Sequence, residues 1–194
     1  MQLSKILHTG NHMHKLFNVK EFVDLGAQRA QFIETGSNYG EGIATAIRAG
    51  YQFIQSVESS QQLNGHCRSM FQFFPEVKCI HGSSVDKLEW MLHAVDRSQP
   101  LFIWLDAHID LGNRVLNPGW KIECPLYEEL STIAKFEFDR VVIAIDDMRM
   151  LEKADWGTNI VKETLLEYVN KAVKNPIITY ADGDVKDDIM IITQ

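Results

Sequence analysis

Residues 32–42 read FIETGSNYGEG, and this stretch decides the fold class. Its apolar beginning ends at Glu34, three glycines follow within the next eight residues, and IATAIRAG (43–50) then has helical spacing. A strand, a glycine-rich turn and a helix N-terminus together bring backbone N–H groups close to a ligand. The stretch therefore predicts the first βα unit of an α/β protein, with a candidate binding site at the turn.

The glycines of this turn fit one of two patterns better than the other. The dinucleotide fingerprint GxGxxG is poorly met, because Asn38 and Glu41 stand where it needs glycine. The pattern acid-x-Gly-x-x-x-Gly is met by Glu34, Gly36 and Gly40. A carboxylate at Glu34 can orient the turn or face a cationic amine of a ligand. A tight βα turn without a ligand is the alternative.

A second acid, Glu58, ends the next apolar run 24 residues after Glu34, which is the length of one βαβ step. A carboxylate in this position can accept two hydrogen bonds side by side from the hydroxyls of a ribose. A solvated acid at a strand end is the alternative for Glu58 alone. The two acids together are a more specific signal than either one.

Strand-sized apolar runs continue along the chain. LFIWL (101–105) and VVIAI (141–145) have the continuous hydrophobicity of strands buried on both faces. Two later strand-like runs are joined by DGDVKDD (182–188), which leaves no room for a helix and predicts a solvated hairpin turn. The predicted strands are 31–34, 52–57, 77–80, 101–105, 141–145, 176–181 and 189–193.

Segments of helical spacing separate most of these strands, so the sheet should be parallel with right-handed crossovers. The predicted fold is a single α/β domain over 1–194, with a Rossmann-like, doubly wound, mostly parallel seven-stranded sheet that ends in an antiparallel hairpin. Residues 1–28 form a helical extension that packs on the sheet edge or lies over a ligand cleft. The predicted helices are around 16–25, 60–73 with Ser60 as its cap, 84–95, 123–136 and 158–173.

The composition restricts the class of protein. The chain has 194 residues, of which 45% are hydrophobic and 23% charged, as in globular proteins. A net charge of -7 disfavours a general electrostatic nucleic-acid binder and suits a small ligand better. No apolar run is long enough to span a membrane, and no secretory signal is recognisable. Three widely separated cysteines predict free thiols in a reducing cytoplasm.

Over about residues 30–194 the chain resembles the class I S-adenosylmethionine (SAM)-dependent methyltransferases, whose sheet also closes with an antiparallel hairpin. The family's first motif is similar to Glu34, Gly36 and Gly40, although Asn38 stands where a second glycine is usual. A narrower resemblance is to the metal-dependent O-methyltransferases of sugars and catechols. It is carried by the runs IETGS, HGSS, FIWLDAH, CPLYEEL and VVIAIDDMR.

This resemblance implies an enzyme that transfers a methyl group from SAM. It places the ribose hydroxyls on Glu58 and the adenine beside His81, Gly82 and Ser83, where Ser83 replaces the family's common Asp. The implied SAM-binding residues are Glu34, Thr35, Gly36, Ser37, Asn38, Gly40, Glu58, Gly82, Ser83 and Asp106.

The same resemblance implies a Mg²⁺ site on Asp106, Asp146 and Asp147. All three directly follow apolar strands, and ligands of open parallel sheets bind outside the carboxyl ends of the strands. Converging carboxylates are costly to bury without a cation, and Mg²⁺ prefers oxygen ligands. The metal would lower the pKa of an acceptor hydroxyl and orient it toward the sulfonium methyl. Helix capping by Asp106 and a salt bridge to Arg149 are the alternatives.

His108 lies two residues beyond Asp106 and is the candidate general base or a further ligand, unless it is a surface loop histidine. Asp106 and His108 are the predicted catalytic pair. Residues 110–122 contain Asn, Gly and Pro without periodicity and predict a substrate-facing loop. We expect a small hydroxylated acceptor such as a sugar, no nucleic-acid or membrane partner, and a homodimer as the usual assembly.

Two other functions share parts of these patterns. FIWLDAHID also matches the arginase and agmatinase signature, in which Asp106, His108 and Asp110 would bind manganese, with the tail supplying Asp182, Asp184 and Asp187. Against this hydrolase, no GGDH segment precedes Asp106 and the chain is about 100 residues shorter than is usual. The second alternative is a SAM- or nucleotide-binding module without activity. Such a module needs the two glutamates but not three converging aspartates.

Overall fold

The centre of the molecule is a seven-stranded sheet. The structure, a computed structural model, describes residues 13–108, 124–153 and 160–194. The strands are β1 Gln31–Thr35, β2 Phe53–Glu58, β3 Val77–His81, β4 Leu101–Leu105, β5 Val141–Ile145, β6 Ile177–Ala181 and β7 Ile189–Thr193. Their order is β3-β2-β1-β4-β5-β7-β6, and β7 runs antiparallel to both of its neighbours. The predicted Rossmann-like sheet with its antiparallel hairpin is therefore confirmed.

Helices lie between the strands, as the alternation predicts. They are α1 Met13–Phe17, α2 Lys20–Ala27, α3 Glu41–Ala49, α4 Gln61–Met70, α5 Ser84–His93, α6 Leu126–Ile133 and α7 Lys162–Ala172. The helices predicted over 60–73, 84–95, 123–136 and 158–173 are present, and each is shorter than predicted. In α4 the predicted cap is present, because Ser60 Oγ accepts a hydrogen bond from Leu63 N. This helix ends at Met70 rather than Phe73, shortly before Pro75, which disfavours a continued helix.

The sheet is covered on both faces because successive residues of each strand point to opposite sides. Ile33, Ile103 and Ile143 pack in one core with residues of α5, α6 and α7. Phe32 and Phe102 pack in the other core with residues of α1 to α4. Strands β1, β4 and β5 are buried along their whole length, which explains their continuous apolar sequences.

The beginning of the described chain packs on the second of these faces. The single helix predicted over 16–25 is divided into two helices, because Asn18 and Val19 interrupt the helical conformation between α1 and α2. The ring of Phe22 in α2 lies 5.0 Å from Tyr51 and 5.3 Å from Phe102, centroid to centroid. Tyr51 also donates a hydrogen bond to Phe22 O at 2.8 Å. Helix α2 is therefore anchored to the sheet by an aromatic cluster.

Two simpler expectations concern the compartment of the protein. Cys67, Cys79 and Cys124 are free thiols, and the first and last are buried. None of the helices in the described ranges combines the length and the hydropathy that crossing a membrane requires.

Candidate functional site

The turn after β1 is built for close approach of backbone. Gly36 and Gly40 have φ of 83° and 86°, in the left-handed region that favours glycine. Asn38, with φ of 46°, also adopts it, and asparagine does so more readily than most residues. A Cβ added at Gly36 would lie 2.7 Å from Asp106 O. The turn after β1 and the segment after β4 therefore meet at a point where no side chain fits.

Glu34 lies beneath this turn rather than at its surface. The residue is 2% exposed, and its Oε2 accepts a hydrogen bond from Ser56 Oγ at 2.5 Å. Ser56 Oγ in turn lies 2.5 Å from Ser37 Oγ, so Glu34, Ser56 and Ser37 form a buried chain. Burial raises the pKa of Glu34 to about 8, against a smaller opposite effect of the Ser56 hydrogen bond. Burial therefore favours the protonated form of Glu34, which holds the turn from beneath.

Glu58 ties the end of β2 to the same turn. Its Oε2 accepts a hydrogen bond from Asn38 N at 2.9 Å, and its Oε1 accepts from Ser60 N at 2.8 Å and from Ser59 Oγ at 3.4 Å. An ionised carboxylate offers about four acceptor positions. Three are used, so Glu58 keeps one acceptor position for a ligand hydroxyl instead of the two that the sequence suggests.

The segment after β3 lies beside Glu58. Gly82 N donates to Glu58 O at 3.0 Å, and Gly82 has φ of 145°. Ser83 caps α5 with its backbone, because Ser83 O accepts from Asp86 N and Lys87 N. The structure thus brings the predicted residues after β1, β2 and β3 to one edge of the sheet.

Thr35 and Glu129 lie under that edge. Thr35 is fully buried, and its Oγ1 lies 3.4 Å from Asp106 N. The side chains of Thr35 and Ser84 both hydrogen bond to Glu129, a residue of α6 that sequence reasoning missed. Burial raises the pKa of Glu129 to about 8. Within the described ranges its Oε1 has no hydrogen-bond partner. The apolar spacing of α6 gives no signal for such a buried acid.

The predicted catalytic pair meets one of the aspartates after β5. His108 Nε2 lies 3.2 Å from Asp147 Oδ2 and 3.7 Å from Asp106 Oδ1. Single ligand atoms of Asp106, His108 and Asp147 lie within 4.8 Å of one another, and so do those of Asp146, Asp147 and Asp188. Asp147 therefore belongs to both groups, whereas Asp106 lies with His108 in one and Asp146 with Asp188 in the other, so neither group holds all three predicted acids.

The pKa values of these acids diverge. Burial and then the neighbouring charges of Asp146 and Asp147 raise the pKa of Asp106 well above its usual range. Burial and Asp147 raise the pKa of Asp146 to about 6, against the effect of Lys15. Burial opposes ionisation of Asp147 as well, yet the hydrogen bond from His108 and the charge of Lys15 hold its pKa below its usual range. Asp147 is thus the member of the cluster whose ionised form its contacts favour.

Two cations lie among these carboxylates, and sequence reasoning missed one of them, Lys15. Lys15 Nζ is 3.2 Å from Asp146 Oδ2, 3.3 Å from Asp147 Oδ1 and 3.2 Å from Asp184 Oδ2. Arg149 Nη1 is 2.7 Å from Asp147 Oδ1 and also pairs with Asp188. We call Asp106, Asp146, Asp147, Asp184 and Asp188 the acidic end. The salt bridge of Arg149 to Asp147 was an alternative in the sequence, but nothing in the sequence pointed to Lys15.

The hairpin turn is exposed over most of its length, as predicted for a solvated loop, but Asp188 at its end is buried. Asp188 is fully buried and pairs with Arg149, whereas Asp184 pairs with Arg149 and is exposed. Asp184 N also donates to Asp188 Oδ2 at 3.0 Å. The pairing with Arg149, which follows β5, explains why Asp188 is buried although it is charged.

The manganese signature is not assembled in the described residues. Asp184 is bound to Lys15 and Arg149, and Asp182 accepts a hydrogen bond from Asp187 N. Neither of the two converging ligand groups in the described ranges includes Asp182 or Asp187. Asp110 and the predicted substrate loop 110–122 lie outside the described residues.

Comparison with solved structures identifies the fold. An O-methyltransferase from Bacillus cereus in complex with SAH aligns with a TM-score of 0.61 and 15% identity, covering 99% of this chain and 90% of that chain. The O-methyltransferase TomG from Streptomyces achromogenes, in complex with SAM, aligns at 0.62 and 15%, covering 98% and 88%. Fibrillarin from Aeropyrum pernix with bound SAM aligns at 0.56 and 11%, covering 86% and 66%. The chain has the fold of the class I SAM-dependent methyltransferases, as its resemblance implied.

Sequence comparison adds no closer relationship. No profile of a protein family matches the chain, and no curated protein is significantly similar to it in sequence.

Proposed function

We propose that the protein is a SAM-dependent methyltransferase that acts on an oxygen of a small hydroxylated acceptor such as a sugar. The observation that carries the proposal is the meeting of the glycine turn, held by Glu58, with Asp106 at the edge of a methyltransferase-type sheet. The structurally similar proteins that contain bound SAH or SAM support the choice of cofactor. A cytoplasmic location and a homodimer remain predictions.

The residues at this edge fit SAM chemically. Glu58 has one acceptor position left for a ribose hydroxyl. Asp106 has a partly exposed side chain, and its backbone carbonyl lies next to the turn, which admits no side chain at Gly36. A site with a surplus of carboxylates suits the positive charges of a sulfonium and an amino group. We propose Glu34, Thr35 and Ser37 as residues that hold the turn, since all three are buried.

The chain's own residues would position the acceptor and accept its proton. When bound, SAM supplies a methyl group that is electrophilic because it is attached to a sulfonium sulfur. The imidazole of His108 receives the proton of the acceptor hydroxyl as the oxygen is methylated. The ionised Asp147, 3.2 Å from His108 Nε2, orients the ring and stabilises the imidazolium that results. Positioning supplies much of the acceleration, about 7–11 kcal/mol in favourable cases.

Magnesium is not part of this mechanism. The implied ligands were Asp106, Asp146 and Asp147, but the Lys15 ammonium already lies within 3.3 Å of oxygens of the last two. The ligand group that excludes Asp146 contains the imidazole of His108, which is not a donor that Mg²⁺ prefers. The residues therefore do not fit the ion in the predicted way.

Calorimetric titration of the protein with SAM and with its demethylated product tests the proposal. We expect micromolar binding of both, lost in Glu58→Ala and kept in Glu163→Gln, a change at an exposed acid of α7. A screen of hydroxylated acceptors with labelled SAM then tests transfer, which we expect Asp147→Asn to reduce by about 10²–10⁴-fold. Binding without transfer to any acceptor would favour the non-catalytic module, and absence of binding would reject the proposal.

A further inference from the structure

The contacts of Lys15 describe a fully occupied cation position. An ammonium group has three N–H donors. Its Nζ has three carboxylate oxygens at 3.2–3.3 Å, from Asp146 and Asp147 after β5 and from Asp184 in the hairpin turn. The side chain is 3% exposed although lysine is almost never buried without partners. We infer that Lys15 is the resident cation of the acidic end and takes the place of a divalent metal ion there.

The charge balance of the neighbourhood supports this inference. Four carboxylates surround Lys15 and Arg149: Asp146, Asp147, Asp184 and Asp188. The two side-chain cations neutralise about half of the charge of these four carboxylates. A divalent ion on the same oxygens would lie next to the ammonium and be repelled by it. Lys15 and a metal are therefore alternatives at this position.

The position of Lys15 also gives it a role toward the acceptor. Lys15 does not reach the surface, so it acts through Asp147, whose Oδ1 it binds while Oδ2 faces His108. Lys15 is thus a positioning residue that fixes the carboxylate on which His108 depends. This part of the inference rests on the proposed function, whereas the occupation of the cation position does not.

Manganese binding to the full chain tests the inference without any activity assay. Free Mn²⁺ is followed by its electron paramagnetic resonance signal in the presence of the protein. We expect no detectable Mn²⁺ binding to the wild type. Binding should appear in Lys15→Met, with an affinity at least about tenfold above the detection limit of the measurement. Mn²⁺ should also raise the melting temperature of Lys15→Met and leave that of the wild type unchanged, because only a ligand that binds the folded state stabilises it.

Two variants serve as controls. Lys20→Met removes an exposed lysine that pairs with Asp24, away from the acidic end, and we expect it to behave as the wild type. Lys15→Arg keeps the charge, and we expect it to exclude Mn²⁺ and to retain more activity than Lys15→Met. If Lys15→Met fails to fold, the wild-type titration decides alone.

Micromolar Mn²⁺ binding to the wild type, or a folded Lys15→Met that gains none, would overturn the inference. Removal of metal with EDTA should also leave SAM binding and methyl transfer by the wild type unchanged. Failure of SAM to bind would count against the proposed function and would not alter the manganese result.

Discussion

Asp147 shows how a single residue joins the two halves of the site. It lies two residues after the end of β5, and its backbone has φ of 60°, in the left-handed region. Its Oδ1 lies near Lys15 and Arg149, while its Oδ2 faces His108. One carboxylate thus transmits the arrangement of two structural cations to the candidate base. Neutralising it would disturb both sides at once.

At the residue scale, a substitution at Gly42 tests how tightly Glu34 is packed under the turn. A Cβ at Gly42 would lie 1.7 Å from Glu34 Oε1, whereas a Cβ at Gly65 would meet nothing within 4 Å. Both glycines lie in helices, so alanine improves helix propensity equally. We expect Gly42→Ala to lower the free energy of unfolding by about 1–3 kcal/mol.

Gly65→Ala is the matched control and should raise the free energy of unfolding by about 0.5–1 kcal/mol. Urea denaturation of the two variants measures both effects. Equal stabilisation by the two alanines would show that Glu34 does not occupy the space beside Gly42.

At the scale of elements, helix α2 depends on one aromatic side chain. Phe22 is fully buried among Phe32, Tyr51 and Phe102, whereas its neighbour Val23 is 41% exposed. We expect Phe22→Ala to cost about 3–5 kcal/mol of the free energy of unfolding. Val23→Ala should change it by less than about 0.5 kcal/mol. Thermal denaturation of both variants checks the difference, and similar small effects would mean that α2 is only loosely attached.

The second element-scale prediction concerns the hairpin of β6 and β7. Arg149 binds Asp184 and Asp188, and Asp188 Oδ1 accepts from Arg149 N at 3.1 Å. Since the Arg149 side chain is 26% exposed, we expect Arg149→Met to cost about 2 kcal/mol, less than a fully buried pair would. Amide hydrogen exchange at Asp184 should become faster, because its N–H is bound to Asp188 Oδ2.

Arg97→Met, at an exposed arginine before β4, is the control and should leave that exchange rate unchanged. Unaltered exchange in Arg149→Met would show that the hairpin turn holds its shape without the arginine.

At the scale of the whole molecule, two buried glutamates contribute to how stability depends on pH. The pKa values of Glu34 and Glu129 rise from 4.5 to about 8 on folding. The folded state therefore keeps protons that the unfolded state loses, so their stabilisation is complete below pH 4.5 and is lost as the pH rises to about 8. Each group contributes a slope of at most about 1.4 kcal/mol per pH unit.

Glu129→Gln isolates one of these contributions. Glutamine has nearly the same shape and does not ionise, so the free energy of unfolding of this variant should fall less steeply between pH 5 and 8 than that of the wild type. Denaturant titrations across this range measure the difference between the two proteins. The contributions of Glu34 and Asp146 are the same in both proteins and cancel in this difference. Parallel pH curves for the two proteins would mean that Glu129 is ionised in the folded state.

The sequence predicts the framework of this molecule better than its charges. Strands such as LFIWL are recognisable because burial on both faces leaves only apolar residues. The glycine turn and the acids at strand ends follow from local spacing, as in Glu58 beside Asn38. Lys15 and Asp146 are 131 residues apart, and no local pattern connects them. The packing of α2 on the sheet likewise depends on its contact with Tyr51, which the local sequence of α2 does not reveal.

The position of β7 between β5 and β6 has a consequence for synthesis on the ribosome. Strand β6 emerges from the ribosome before β7. In the sheet, however, β5 and β6 are both neighbours of β7 and not of each other, so neither has this partner until β7 emerges. The edge of β5 therefore stays open in the nascent chain until residues 189–193 have left the exit tunnel. The cofactor end, with Glu34 and Glu58, is translated early, whereas the acidic end is completed last. A ribosome-bound chain stalled before β7 should consequently offer an unpaired strand edge to chaperones.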